Sequence, residues 1–98
     1  YGHGGLKIGQ DTRIATHVVI VPSDHLYGDT SVPIRLQKNF SKGIEIGDDV
    51  WIGAGVRILD GSRIGKGCVI GAGAVVKGEL EPFGVYVGVP AKKIKSRI

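Results

Sequence analysis

Three imidazoles, His3, His17 and His25, and a single thiol, Cys68, are the side chains of this 98-residue chain best suited to chemistry near neutral pH. The histidines stand 14 and 8 residues apart, which is no metal-ligand spacing, and one cysteine builds neither a disulfide framework nor a multi-cysteine zinc site. No metal is expected. What remains is general-base work, in which a positioned imidazole takes the proton of a hydroxyl as its oxygen attacks. His25 stands in Pro22-Ser-Asp-His-Leu-Tyr-Gly-Asp29, where a regular stretch gives way to a long irregular one. There it would be reachable by solvent and braced on one side by a rigid strand. His17 falls inside the regular stretch, two residues before a corner, and is expected to point outward as a solvated strand residue. His3 belongs to a glycine-rich lead-in. Asp24 and Asp29 are candidates to orient the His25 ring, Asp24 the poorer because neighbours on an extended segment face opposite ways. A carboxylate from elsewhere is equally open.

The regular stretch is a repeat. From Ile46 an aliphatic residue returns every six positions, at Ile52, Ile58, Ile64, Ile70 and Val76, and glycine follows at Gly47, Gly53, Gly65 and Gly71. Four places after each aliphatic stands a small or branched residue: Val50, Val56, Ser62, Cys68, Ala74, then Leu80. The pattern also occurs earlier, at Ile8, Ile14 and Ile20. Helices want apolar spacings of three and four, and amphipathic strands want two, so a period of six fits neither. It fits a short strand plus a corner, three of which close a triangular coil of eighteen residues. Such coils stack at the ~4.8 Å strand spacing into a parallel β-helix. The first and fifth positions then face inward, and the glycine after the aliphatic is expected to let the corner turn. The expected layout is one β-helical domain over 1–98, with coils at about 6–20 and 46–78. An extruded loop occupies about 21–45, because the step from Ile20 to Ile46 is not a multiple of six. A C-terminal cap covers about 79–98, with Gly78 to Phe83 leaving the prism and the basic Lys92 to Arg97 forming a strand or a short helix.

The run Ile46-Gly-Asp-Asp-Val-Trp-Ile-Gly-Ala-Gly-Val, continued by Ile70-Gly-Ala-Gly-Ala-Val-Val, resembles the hexapeptide-repeat acyltransferases with a left-handed parallel β-helix. Within them it is most similar to the maltose/galactoside-type and surface-polysaccharide O-acetyltransferases. The resemblance implies an acetyl-CoA-dependent acetyltransferase acting on a sugar or polysaccharide hydroxyl by direct transfer in a ternary complex. It implies His25 as the general base, ahead of a loop ending in Pro33-Ile34, and the backbone N–H of Ala54 as the oxyanion donor. It places coenzyme A contacts at Ala72 and Lys77 and, after the Gly-Val-Pro motif, at Lys92 and Lys95. Trp51, on an outward position, is either a wall of the thioester channel or a subunit contact. Tyr27, Asp29 and Arg35 in the loop are candidates for holding the saccharide. Relatives often have serine at position 54, which does not affect a backbone donor, and lysine where this chain has Gly78.

Composition bounds the alternatives. Glycine plus proline make 21 of 98 residues, below the ~25–30% of low-complexity chains, and 42% hydrophobic content favours a folded domain. No apolar run approaches the ~18 residues of a membrane span, and no signal peptide is evident, so a cytoplasmic protein is expected. An opening Tyr1 without Met suggests a fragment. A net charge of +4 with 6% aromatics gives no stacking platform, and nucleic acid is not an expected partner. The rival to an enzyme is a non-catalytic β-helix used as a binding or scaffold module, or a degenerate, truncated acyltransferase. A prism of about three coils has a narrow core, and three flat-sided prisms suit threefold symmetry, so a homotrimer is expected, as in the family. Light scattering should therefore return three times the 10.3 kDa chain mass.

Overall fold

A computed structural model describes residues 5–22 and 24–98, with the backbone alone at 24, 25, 39 and 40. Coil one runs through β1 (Leu6–Ile8), β2 (Arg13–Ile14) and β3 (Val19–Val21). An excursion follows, with β4 (Asp24–His25), a single 3-10 turn at Ile34–Leu36 and β5 (Asn39–Phe40). Coil two is β6 (Ile44–Ile46), β7 (Trp51–Ile52) and β8 (Arg57–Leu59); coil three is β9 (Arg63–Ile64), β10 (Val69–Ile70) and β11 (Val75–Val76). β12 (Glu79–Leu80), β13 (Gly84–Val87) and β14 (Lys92–Ser96) complete the chain.

Apart from β4 and β5, which pair with each other, the strands sort into three stacks, one for each side of the prism. The first is β1-β6-β9-β12, the second β2-β7-β10-β13-β14, and the third β3-β8-β11. All pairs within them are parallel except β13 with β14. Ile46 pairs with Ile64, Ile52 with Ile70 and Ile58 with Val76, so one coil is eighteen residues, as the period of six requires. These first-position side chains are 0–3% exposed, and Val50, Val56, Ser62, Cys68 and Ala74 at the fifth position are at most 1% exposed. Together they form the core. Ser62, the hydroxyl among them, donates to Leu59 O at 2.6 Å, which satisfies it.

Three expectations need correction. The glycine after each aliphatic does not turn the corner. It is there because the next coil leaves no room: a Cβ on Gly53 would lie 2.7 Å from Ala72 N, and one on Gly65 would lie 2.7 Å from Pro82 N. The left-handed bend falls two residues later, at Gly55 and Gly73 with φ of 72° and 76°, and at Asp11, His17, Asp49 and Phe83 with φ between 54° and 62°. His17 is accordingly an exposed corner residue and not a strand residue. The chain also stays in the prism after Gly78. Leu80 pairs with Ile64 and Tyr86 with Ile70, steps of sixteen, so two residues are missing from one corner and the winding continues. Leu80 thereby occupies a first position instead of a fifth. The basic tail is a strand, laid antiparallel on β13 and covering its edge.

Gly53→Ala should lower the unfolding free energy by ~2–3 kcal/mol, because the obstructing atoms are backbone. Gly73→Ala, where a Cβ meets open space, should cost only the ~1 kcal/mol of a left-handed backbone. Urea unfolding of the two variants measures the difference.

Candidate functional site

Coil one is joined to coil two by a step of thirty-eight residues, Ile8 pairing with Ile46, so twenty extra residues are extruded without disturbing the stack. They leave the third side after Val21 and return to the first side before Ile44. Near their base the two limbs run antiparallel, with His25 opposite Asn39 and Asp24 opposite Phe40. Leu26 N donates to Lys38 O at 3.0 Å and extends the ladder by one rung. The backbone of His25 is thus fixed in a hairpin at the mouth of the excursion. Its imidazole lies outside the described residues, as do the Asp24 carboxylate and all of His3.

The outer part of the loop is organised by Asp29 and Gln37. The Asp29 carboxylate accepts from Ser31 Oγ at 2.6 Å and Ser31 N at 3.0 Å, and these two donors hold it below the usual carboxylate range. Gln37 Nε2 donates to the carbonyls of Asp29 and Val32 at 2.8 and 2.7 Å. Asp29 is therefore engaged within its own turn. Tyr27, at 71% exposure, and Arg35, on the 3-10 turn, face solvent on the same loop.

At its base the excursion is tied to the coils. Ser41 Oγ donates to Pro22 O, closing one limb on the other. One residue on, the Asp60 carboxylate accepts from Lys42 N at 2.8 and 3.1 Å and from Gly43 N at 2.8 Å. Asp60 is 6% exposed, the one buried acid among the described residues. The sequence reading missed it. The available signal was an acid on a corner one coil after the point where the loop must rejoin.

The corner between the second and third sides carries Ala54 and, directly beyond it, Ala72, joined by Gly73 N to Ala54 O at 2.9 Å. Both alanines are exposed. Gly53 N and Gly55 N on either side donate to neighbouring coils, to Ile70 O and Thr16 O. The Ala54 N–H meets no acceptor among the described residues. The equivalent amide at another corner, Gln10 N, donates to the Asp48 carboxylate at 2.7 Å, so a corner N–H of this kind can seat an anionic oxygen. Ala54 and Ala72 are thus brought together. The loop springs from a different corner, so one chain does not set the root of the His25 hairpin beside Ala54.

The remaining candidates disperse. Arg13, Trp51, Val69, Val85 and Lys95 form one outward row across the second side, with Trp51 at 55% exposure. Lys92, the first residue of β14, stands opposite Val87, which packs on Gly71 beside Ala72, and Lys77 follows β11 on the third side. A groove of about 660 Å³ on the first side is lined by Lys7, Glu45, Arg63 and Glu79, an alternating charge ladder with Arg63 and Glu45 paired at 3.1 Å. None of the predicted chemistry falls in it.

The prism and its extruded loop belong to one architectural class, the left-handed parallel β-helix of hexapeptide repeats. Residues 43–78 match the bacterial transferase hexapeptide (six repeats) family, whose repeat the hexads of this chain share. It is 39% identical over 92 residues to a probable acetyltransferase of Mycobacterium tuberculosis, covering 94% of this chain and 31% of that one. It is 39% identical over 99 residues to a putative lipopolysaccharide biosynthesis O-acetyl transferase of Escherichia coli, covering 92% of this chain and 50% of that one. In structure it is similar to a maltose O-acetyltransferase of Clostridium difficile, with a TM-score of 0.81, 29% identity and coverage of 98% and 60%. It is also similar to an N-acyltransferase of Bacillus cereus in complex with dTDP and 3-hydroxybutyryl-CoA, with a TM-score of 0.86, 25% identity and coverage of 98% and 54%. The chain spans a third to a half of the length of these curated relatives. No helix among the described residues is long and apolar enough to cross a membrane.

Cys68 is 0% exposed, and its Sγ lies 3.0 Å from Glu81 O. Burial pushes the thiol above its ordinary pKa, so the reactive thiolate is scarce. A disulfide reagent at pH 8 should label the folded protein at least ~100-fold more slowly than the unfolded chain, since labelling must await opening of the core. Thiol titration with and without guanidinium measures the ratio.

Proposed function

We propose that this chain is the β-helical core of an acetyl-CoA-dependent O-acetyltransferase that acetylates a hydroxyl of a sugar or polysaccharide. The observation that carries the proposal is the single interruption of the prism. Twenty residues leave an otherwise continuous stack and hold a histidine backbone in a hairpin at their root, while the stack offers at Ala54 an amide with no acceptor among the described residues. In this reading acetyl-CoA supplies an activated thioester carbonyl. His25 takes the acceptor hydroxyl proton as the oxygen bonds to that carbonyl. The Ala54 N–H receives the developing oxyanion without reorganisation, because stacked coils fix it. Collapse breaks the carbon–sulfur bond, and the imidazolium returns its proton to the departing thiolate. Cys68, sealed in the core, takes no acyl group.

Small side chains at Ala54 and Ala72 leave the corner open to the pantetheine arm, with Trp51 beside it. Lys77, Lys92 and Lys95 are the cations we assign to the nucleotide phosphates. Because His25 and Ala54 belong to different corners, we read the working unit as a homotrimer in which one subunit's hairpin meets another's corner. The charge ladder on the first side leaves the second and third sides, bearing Trp51 and Val75, as the faces to be covered. Tyr27, Asp29 and Arg35 are assigned to the acceptor, and the site of action to the cytoplasm. The E. coli and C. difficile relatives, both named as O-acetyltransferases, support hydroxyl over amine acceptors.

Acetyl-CoA at 100 times its dissociation constant should stabilise the protein by ~2.7 kcal/mol, read as a rise in Tm. His25→Ala should keep that rise and lose at least ~100-fold in kcat, with free thiol release as the assay across a panel of hydroxylated and amino sugars. Wild-type turnover by His25→Ala would remove the base assignment. Turnover confined to amino sugars would replace the O-transfer reading with N-transfer.

A further inference from the structure

A buried carboxylate loses its hydration and must recover it from donors held in place. Asp60 recovers it from two consecutive backbone amides, Lys42 N and Gly43 N, and both belong to the returning limb of the excursion. Other bonds complete the seat. Gly61 N donates to Gly43 O at 2.9 Å, and Gly43 itself is buried. The corner Asp60-Gly61 therefore grips the chain at the residue where it rejoins the coil.

The grip is short of the hairpin by very little. Lys42 follows Ser41, whose hydroxyl binds Pro22 O on the outgoing limb, and Ser41 follows Phe40, which pairs with Asp24. Asn39, the ladder partner of His25, is three residues from Lys42. A rotation of the returning limb at 42–43 would therefore be carried directly into the His25 backbone. At the regular corner of Gln10 the Asp48 carboxylate accepts one amide beside the coil-to-coil bonds, whereas Asp60 accepts two consecutive ones. We propose that Asp60 is a positioning residue: it holds the root of the excursion and so sets where the His25 hairpin stands against the coils.

The functional half rests on the reading of His25 as the base, and the test separates the two. Hydrogen exchange is measured on the full chain as wild type, Asp60→Ala and Asp60→Asn, the last keeping size and one acceptor oxygen. Amides of 24–43 should exchange at least tenfold faster in Asp60→Ala and by a smaller factor in Asp60→Asn, while those of 46–58 and 64–76 keep their rates. Should Asp60→Ala fail to fold, Asp60→Asn alone decides. Unchanged exchange at 24–43, or acceleration spread equally through the coils, overturns the proposal. In thiol-release assays on the best acceptor of the panel, kcat should fall at least tenfold in Asp60→Ala with the KM for acetyl-CoA within twofold of wild type. A wild-type kcat there, with His25→Ala inactive, overturns Asp60 and leaves the base standing. If His25→Ala is fully active, the base reading falls and exchange alone judges Asp60.

Discussion

Each inward aliphatic side chain rests on its counterpart one coil away, and that contact dictates the spacing of everything else. Ile46 on Ile64, Ile52 on Ile70 and Ile58 on Val76 hold the coils in register, with the fifth-position residues filling the angles between them. Backbone bonds between coils follow from the same registration, for example Gly53 N to Ile70 O at 2.8 Å. The tightness of the stack shows at Gly53 and Gly65, where even a methyl group would strike the backbone of the next coil. A core this thin tolerates no slip, because shifting a strand by one residue turns its buried face outward.

The same rigidity explains how a long loop can interrupt the prism. Lengthening an excursion adds entropy cost only slowly, whereas displacing the coils would forfeit core contacts along the whole stack. The twenty inserted residues accordingly leave Ile8, Ile14 and Ile20 paired with Ile46, Ile52 and Ile58. Their two limbs are then free to carry side chains a regular coil would have to bury or expose by rule. That freedom lets the backbone of His25 stand in a hairpin that no regular coil would contain. A stiff frame with one extruded segment suits transfer chemistry, where misplacement by an ångström is expensive.

The two ends of the prism differ. At the far end Tyr86 covers the core, its hydroxyl accepting from Glu81 N at 2.8 Å, and β14 covers the edge of β13 with Lys92, Lys93 and Lys95. Lys93 pairs with Glu81 at 3.0 Å, and Arg97 reaches back to Gly67 O at 2.8 Å, pinning the tail. Charged residues on a final strand discourage further pairing. In coil one, by contrast, the inward residues Ile8 and Ile14 are 45% and 41% exposed, although their partners in coil two are sealed. Apolar side chains and the outer edges of β1, β2 and β3, which no strand pairs among the described residues, therefore share one end.

Much of this was legible in the chain itself. A period of six in aliphatics is a local code, since every hexad meets the same surroundings, so coil size, inward positions and the burial of Cys68 follow from spacing. The break between Ile20 and Ile46 marked the excursion and put His25 at its root for the same reason. Corners were harder, because a glycine looks alike whether it is required by φ or by lack of space. Only neighbours in the stack distinguish Gly53 from Gly55. The sixteen-residue step that keeps Leu80 and Tyr86 in the prism, and the docking of Lys92–Ser96 on β13, depend on how the last coil packs. So does Asp60, whose amide partners lie seventeen and eighteen residues back along the chain. Repetition writes the frame into the sequence; departures from repetition are decided by contacts between distant residues, and those exist only once the coils have stacked.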